Sequence, residues 1–60
     1  MKNSVLVVDD NEDVRAFVRI SLEEDGYRVL EAVDGETALS IFRSESPELI
    51  LLDIGIGLPD

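Results

Sequence analysis

An α/β fold built on a parallel sheet is what this sequence predicts, and three observations predict it. Two runs, Val5-Leu6-Val7-Val8 and Leu49-Ile50-Leu51-Leu52, are continuously apolar, the pattern of strands covered on both faces. Between them lie two segments whose apolar residues recur at helical spacing. A third strand-like stretch separates those segments, so the order is strand, helix, strand, helix, strand. Such alternation favours parallel strands joined by right-handed crossovers.

The elements follow in order, at about 4–9, 27–32 and 48–53 for the strands and about 11–25 and 35–44 for the helices. The first strand stops at Asp9-Asp10. Val14, Phe17, Val18 and Leu22 then mark one face of the first helix. Asp10 or Asn11 can cap its start, and Glu12 and Asp13 suit the positive end of its dipole. Gly26 supplies the stop. Glu23-Glu24-Asp25 just before it opposes the dipole, so that end must be exposed. Tyr27 to Ala32 includes Arg28 and Glu31 and predicts an edge strand. Asp34-Gly35 turns the chain into the second helix, with Ala38, Leu39 and Phe42 inward and Glu36, Thr37, Ser40 and Arg43 outward. Ser44 to Pro47 ends it, because the residue before proline avoids the helical region. The third strand ends in Asp53, and Ile54 to Asp60 is a glycine-rich, irregular tail.

Composition narrows the chemistry. Sixty residues make one small domain at most, and a chain of that size buries only about 60% of its unfolded surface. There is no cysteine and no histidine, which removes disulfides, thiolate or imidazole metal sites and the commonest general base. A net charge of −9 argues against nucleic acid or an anionic membrane as direct partner and favours a cation or a basic protein face. No apolar run is long enough to span a bilayer and no signal peptide precedes the first strand. The expected setting is cytoplasmic.

Carboxylates terminate two of the three strands: Asp9 and Asp10 after Val8, and Asp53 after Leu52. In open parallel sheets, ligands sit beyond the carboxyl ends of the strands. If the first and third strands are neighbours, the three carboxylates share one acidic pocket, where they repel unless a cation joins them. Hard oxygen donors without nitrogen or sulfur suit Mg2+. An aspartate in such a pocket can attack a phosphoryl group in line and form an acyl phosphate. The plainer alternative is that Asp9 and Asp10 cap the first helix and Asp53 begins a turn. Two apolar strands ending the same way favour a site.

Four blocks carry a family resemblance: Val5 to Asn11, Gly26 to Val29, Ala32 to Leu39, and Pro47 to Asp53. Together they resemble the receiver domains of bacterial two-component response regulators, in register from about residue 4 to 54. The resemblance implies a flavodoxin-like fold, here its N-terminal half, with sheet order 2-1-3. It implies that Asp53 is the phosphoacceptor, that Asp10 binds Mg2+ directly, and that Asp9 acts mainly through a bound water. The backbone carbonyl of Gly55 would be the third protein ligand. The donor would be a histidine kinase or phosphotransfer protein docking on the first helix, where exposed Arg15 and Arg19 could contribute. Ordinary pairing on the helix surface, with Glu23 four residues beyond Arg19, also explains those arginines. The chain would catalyse its own phosphorylation without being a turnover enzyme.

Two departures qualify the resemblance. A full receiver continues with two more strands and three more helices, which carry a phosphate-binding Thr or Ser, a lysine and an aromatic switch residue. The only lysine here is Lys2. The family also reads Asp-x-x-Leu/Met-Pro, whereas this chain reads Asp53-Ile54-Gly55-Ile56-Gly57-Leu58-Pro59, as though Ile-Gly were inserted. Either the loop bulges or the third strand extends and repositions Gly55. With order 2-1-3 the third strand is an unpaired apolar edge, so the expected repair is a homodimer through that strand or the tail. The competing reading is a truncated or engineered receiver fragment that only self-associates. A haloacid-dehalogenase-type phosphohydrolase fits worse, because that family needs Asp-x-Asp where Asp53-Ile54-Gly55 stands. A dinucleotide-binding domain lacks its glycine-rich loop after the first strand.

Overall fold

The structure is a computed structural model and describes residues 3–52. Asp53, Gly55 and the tail at 54–60 lie outside the described residues, as do residues 1–2. Along the chain run β1 (Ser4–Val8), α1 (Glu12–Glu24), β2 (Arg28–Ala32), α2 (Gly35–Glu45) and β3 (Leu49–Leu52). The strands form one parallel sheet in the order β2-β1-β3, the flavodoxin-like arrangement. β1 is central and pairs from Ser4↔Arg28 to Val8↔Ala32 on one side and from Val5↔Leu49 to Val8↔Leu52 on the other.

That central place explains the unbroken apolar run Val5-Leu6-Val7-Val8 within β1. All five of its residues are buried. Alternation along the strand sends neighbours to opposite faces. Leu6 and Val8 join Ala32 in the core, against Leu30 and the α2 residues Ala38 and Ile41. Val7 instead lines a crevice with Val18 of α1, so the two helices cover opposite faces. Fully burying a Leu or Val side chain contributes about 1.5–3 kcal/mol, which makes β1 the main source of cohesion.

The helix ends are formed by local chemistry. Asn11 caps α1, its Oδ1 accepting the N–H groups of Asp13 and Val14 at 2.9 and 3.1 Å. At the other end Gly26 adopts φ +91°. There its N–H donates to the Glu23 carbonyl while the Tyr27 N–H donates to Leu22, the paired pattern of a Schellman stop. Asp34 caps α2 through the Thr37 N–H at 2.8 Å. Ser46 closes α2 in the left-handed region, φ 49° and ψ 58°, where a residue with a Cβ is disfavoured. The proline that follows, Pro47, is buried.

The inward faces of the helices differ from those the spacing predicts. On α2 the packed residues are Ala38 and Ile41, while Leu39 and Phe42 stay about half exposed, at 50% and 45%. On α1 Val18 and Leu22 are half-buried, but Val14 is exposed and Phe17 is 73% exposed. The reason is the same for both helices. The apolar stripe is wider than the sheet beneath it, because among the described residues nothing covers the outer edge or the faces of β3; all four of its residues are exposed.

The hydrogen bond from Thr37 holds the Asp34 carboxyl below the usual range for an aspartate. A carboxyl with a depressed folded-state pKa stabilises the fold above its unfolded pKa, and that contribution is lost as pH falls through the lowered folded value. Helical signal in circular dichroism should therefore show an acid-dependent loss with a component from α2. Asp34→Asn, which retains a capping oxygen, should remove that component. An unchanged acid profile in the variant would contradict this role for Asp34.

Candidate functional site

The candidate site lies at the carboxyl edge of the sheet, where β1 gives way to α1. Asp9 continues the ladder for one residue beyond β1, its N–H donating to the Ala32 carbonyl at 3.1 Å. Its side chain then turns back to accept the Asn11 N–H on Oδ1 at 2.9 Å. Asp9 is only 6% exposed, whereas Asp10, one residue on, is exposed. The turn is short because Asn11 is already committed to capping α1. Sequence, turn and cap together leave Asp9 inward and Asp10 open to solvent.

Val8 pairs with Leu52, so β1 and β3 reach the same level. In sequence these two residues precede Asp9 and Asp53. Adjacent strands lie about 4.8 Å apart. Asp9 also borders a crevice with Val7, Val8, Val18, Leu51 and Leu52, which runs between β1 and β3 under α1.

Two oxygen donors of different exposure suit a hard cation, and the sequence offers no His or Cys to compete. Among the described residues no group of three carboxylates forms a complete metal cluster. Asp53 and Gly55, the two expected ligands after β3, are outside the described residues.

Arg15 occupies a place that the sequence reading missed. It is not the exposed residue that helical spacing suggests: its side chain is 14% exposed. Its Nη1 donates to the Asp9 carbonyl at 2.9 Å and its Nε to Glu31 Oε1 at 3.1 Å. Arg19 is also engaged, Nε to Glu31 Oε2 at 3.0 Å and Nη1 to Glu23 Oε1 at 3.5 Å. The expected pair with Glu23 exists, but Glu31 of β2 is the hub. Helical spacing could not reveal a partner that comes from a different element.

Comparison with known proteins places this geometry in a family. The family model described as the response regulator receiver domain matches residues 5–60. Among curated proteins, the alkaline phosphatase synthesis transcriptional regulatory protein PhoP of Bacillus subtilis is 44% identical over 54 residues, covering 90% of this chain and 22% of that protein. The CAI-1 autoinducer sensor kinase/phosphatase CqsS of Vibrio cholerae is 46% identical over 50 residues, covering 83% of this chain and 7% of that protein. The solved structure of the chemotaxis response regulator CheY4 of Vibrio cholerae superposes with a TM-score of 0.90 at 30% identity, covering 98% of this chain and 49% of that one. The chain thus spans about half of that response regulator and about a fifth of PhoP. No helix among the described residues is long and apolar enough to cross a membrane. With a family match over nearly its whole length and a receiver's sheet order, this chain belongs to the response regulator receiver domain family.

Proposed function

We propose that the chain is a phosphoacceptor module in two-component signalling, with Asp53 receiving the phosphoryl group. The observation that carries this reading is the register that pairs Val8 with Leu52, the residues before Asp9 and Asp53. A carboxylate oxygen of Asp53 attacks phosphorus; the phosphorus–nitrogen bond of a phosphohistidine breaks, and its electron pair returns to the imidazole of the donor. The product is an acyl phosphate on Asp53. The donor is a histidine kinase or a phosphotransfer protein, and the kinase relative fits that class of partner.

The groups that would hold Mg2+ are the Asp10 and Asp53 carboxylates and the Gly55 carbonyl, with Asp9 assisting. When bound, Mg2+ supplies the positive charge that offsets the carboxylates and the incoming phosphoryl oxygens. The fit on the β1 side is chemical. Asp10 is exposed and available, while Asp9 already spends one oxygen on the Asn11 N–H and is suited to a supporting part. Gly55 follows from the family resemblance alone. Incubation with magnesium and a small acyl-phosphate donor should add one phosphoryl mass to the intact chain and none to Asp53→Asn. An adduct of equal yield on Asp53→Asn would move the acceptor elsewhere.

A second reading concerns assembly, and the exposure of β3 favours it. Among the described residues Leu49, Ile50, Leu51 and Leu52 present an unpaired apolar edge, a template for another strand. We propose that a second copy of the chain occupies it, burying Ile50 and Leu52. β1 already protects the inward amides of β3, so amide hydrogen exchange should show the outward amides of β3 protected at high protein concentration and exposed on dilution. Protection independent of concentration, or none at all, contradicts the dimer.

A further inference from the structure

We infer that Arg15 is a positioning residue for the acidic pocket, fixing the peptide that joins Asp9 to Asp10 and tying it to α1 and β2. The inference rests on the magnesium reading above and names a device within that site.

Asp9 is held at three points. Its N–H is fixed by the Ala32 carbonyl and its Oδ1 by the Asn11 N–H. Its carbonyl is fixed by Arg15 Nη1 at 2.9 Å. The third bond sets the plane of the Asp9–Asp10 peptide, and with it the direction in which Asp10 leaves the strand. Arg15 is itself oriented, because Glu31 Oε1 takes its Nε while Glu31 Oε2 takes the Nε of Arg19. A planar guanidinium with fixed donor directions can serve a carbonyl and a carboxylate at once. The pair is half shielded from water, with Glu31 34% exposed and Arg15 less.

Charge and positioning make opposite demands here. A guanidinium bonded to the Asp9 carbonyl stands beside the acidic pocket and repels a second cation. If Arg15 acted only as a charge, its removal would tighten Mg2+ binding. If it orients Asp10, removal weakens binding despite the lost repulsion. Losing a group that orients a metal ligand costs about 10–100-fold in affinity.

The test is a Mg2+ titration of the full chain and of Arg15→Met, followed through the amide resonances of Asp10 and Asn11. The expected result is an affinity at least about tenfold weaker in the variant. Equal or tighter binding would overturn the inference while leaving the metal site standing. The unaltered chain provides a second measurement, needed should Arg15→Met fail to fold. The Arg15 Nε resonance and the Asp9 carbonyl carbon should shift with the same midpoint as the Asp10 amide. Silence at both, with Asp10 responding, also overturns it. No response at Asp10 in the unaltered chain removes the magnesium reading itself, and this inference with it.

Discussion

Leu6→Ala is expected to abolish cooperative folding of this chain. Leu6 has no solvent exposure and stands in the middle of the central strand, flanked in the sheet by Leu30 and Ile50. It also meets the packed residues of α2 through the core cluster. Truncating a buried leucine to alanine costs about 2–5 kcal/mol, because the cavity closes only in part. A single core in a chain below about 70–80 residues rarely supplies more than about 3–5 kcal/mol. The loss is therefore comparable with the whole margin. Thermal melting followed by circular dichroism should show a sigmoidal transition for the parent and a broad, sloping one for the variant. Leu39→Ala, at a half-exposed position, should shift the midpoint only slightly. A Leu6→Ala chain that melts cooperatively near the parent temperature would mean that cohesion lies outside β1.

The second large effect concerns the metal. Asp10 is exposed and can lose its charge without disturbing the fold, so Asp10→Asn separates binding from folding cleanly. Without magnesium the variant should be as stable as the parent or slightly more so, since one of several crowded negative charges is gone. With magnesium the order should reverse. A ligand at one hundred times its dissociation constant stabilises the folded state by about 2.7 kcal/mol. The parent should gain that increment and Asp10→Asn should lose most of it. Melting temperatures with and without magnesium, compared with calcium and with an ionic-strength control, read this directly. Equal magnesium stabilisation of parent and variant would show that Asp10 is not a ligand.

The sequence announced the sheet through its apolar runs and the order of its elements. β1 is apolar from Val5 to Val8 because it has neighbours on both sides and a helix on each face. β3 carries the same pattern, yet its residues are exposed. An apolar run states what a strand is built to be covered by, and nothing among the described residues covers it. That difference also explains the helices. Leu39 and Phe42 were expected inward because they fall on the apolar stripe of α2. They border instead a groove with Leu6, Val8, Ile50 and Leu52 that nothing among the described residues fills. Ile41, on the edge of the stripe, packs against the sheet.

The site was legible where its chemistry is local and hidden where it is not. Asp9, Asp10 and the capping Asn11 are consecutive, and a strand that stops at three such residues already implies a turn into a helix. Arg15 and Glu31 belong to different elements, brought together only when α1 lies across β1 and β2. Spacing along one helix pairs Arg19 with Glu23, which is correct as far as it goes. It cannot show that Glu31 joins both arginines from the neighbouring strand.

In the proposed site, carboxylates from two strands share one cation. The most direct measurement is the magnesium dissociation constant of the full chain beside that of Asp53→Asn, read at the Asp10 amide on β1's side of the pocket. A shared site predicts that neutralising Asp53 weakens magnesium binding at Asp10 by at least about tenfold, the scale at which even indirect contributors to a metal site act. Unchanged affinity at Asp10 would contradict the account, because Asp9 and Asp10 would then bind the cation without Asp53.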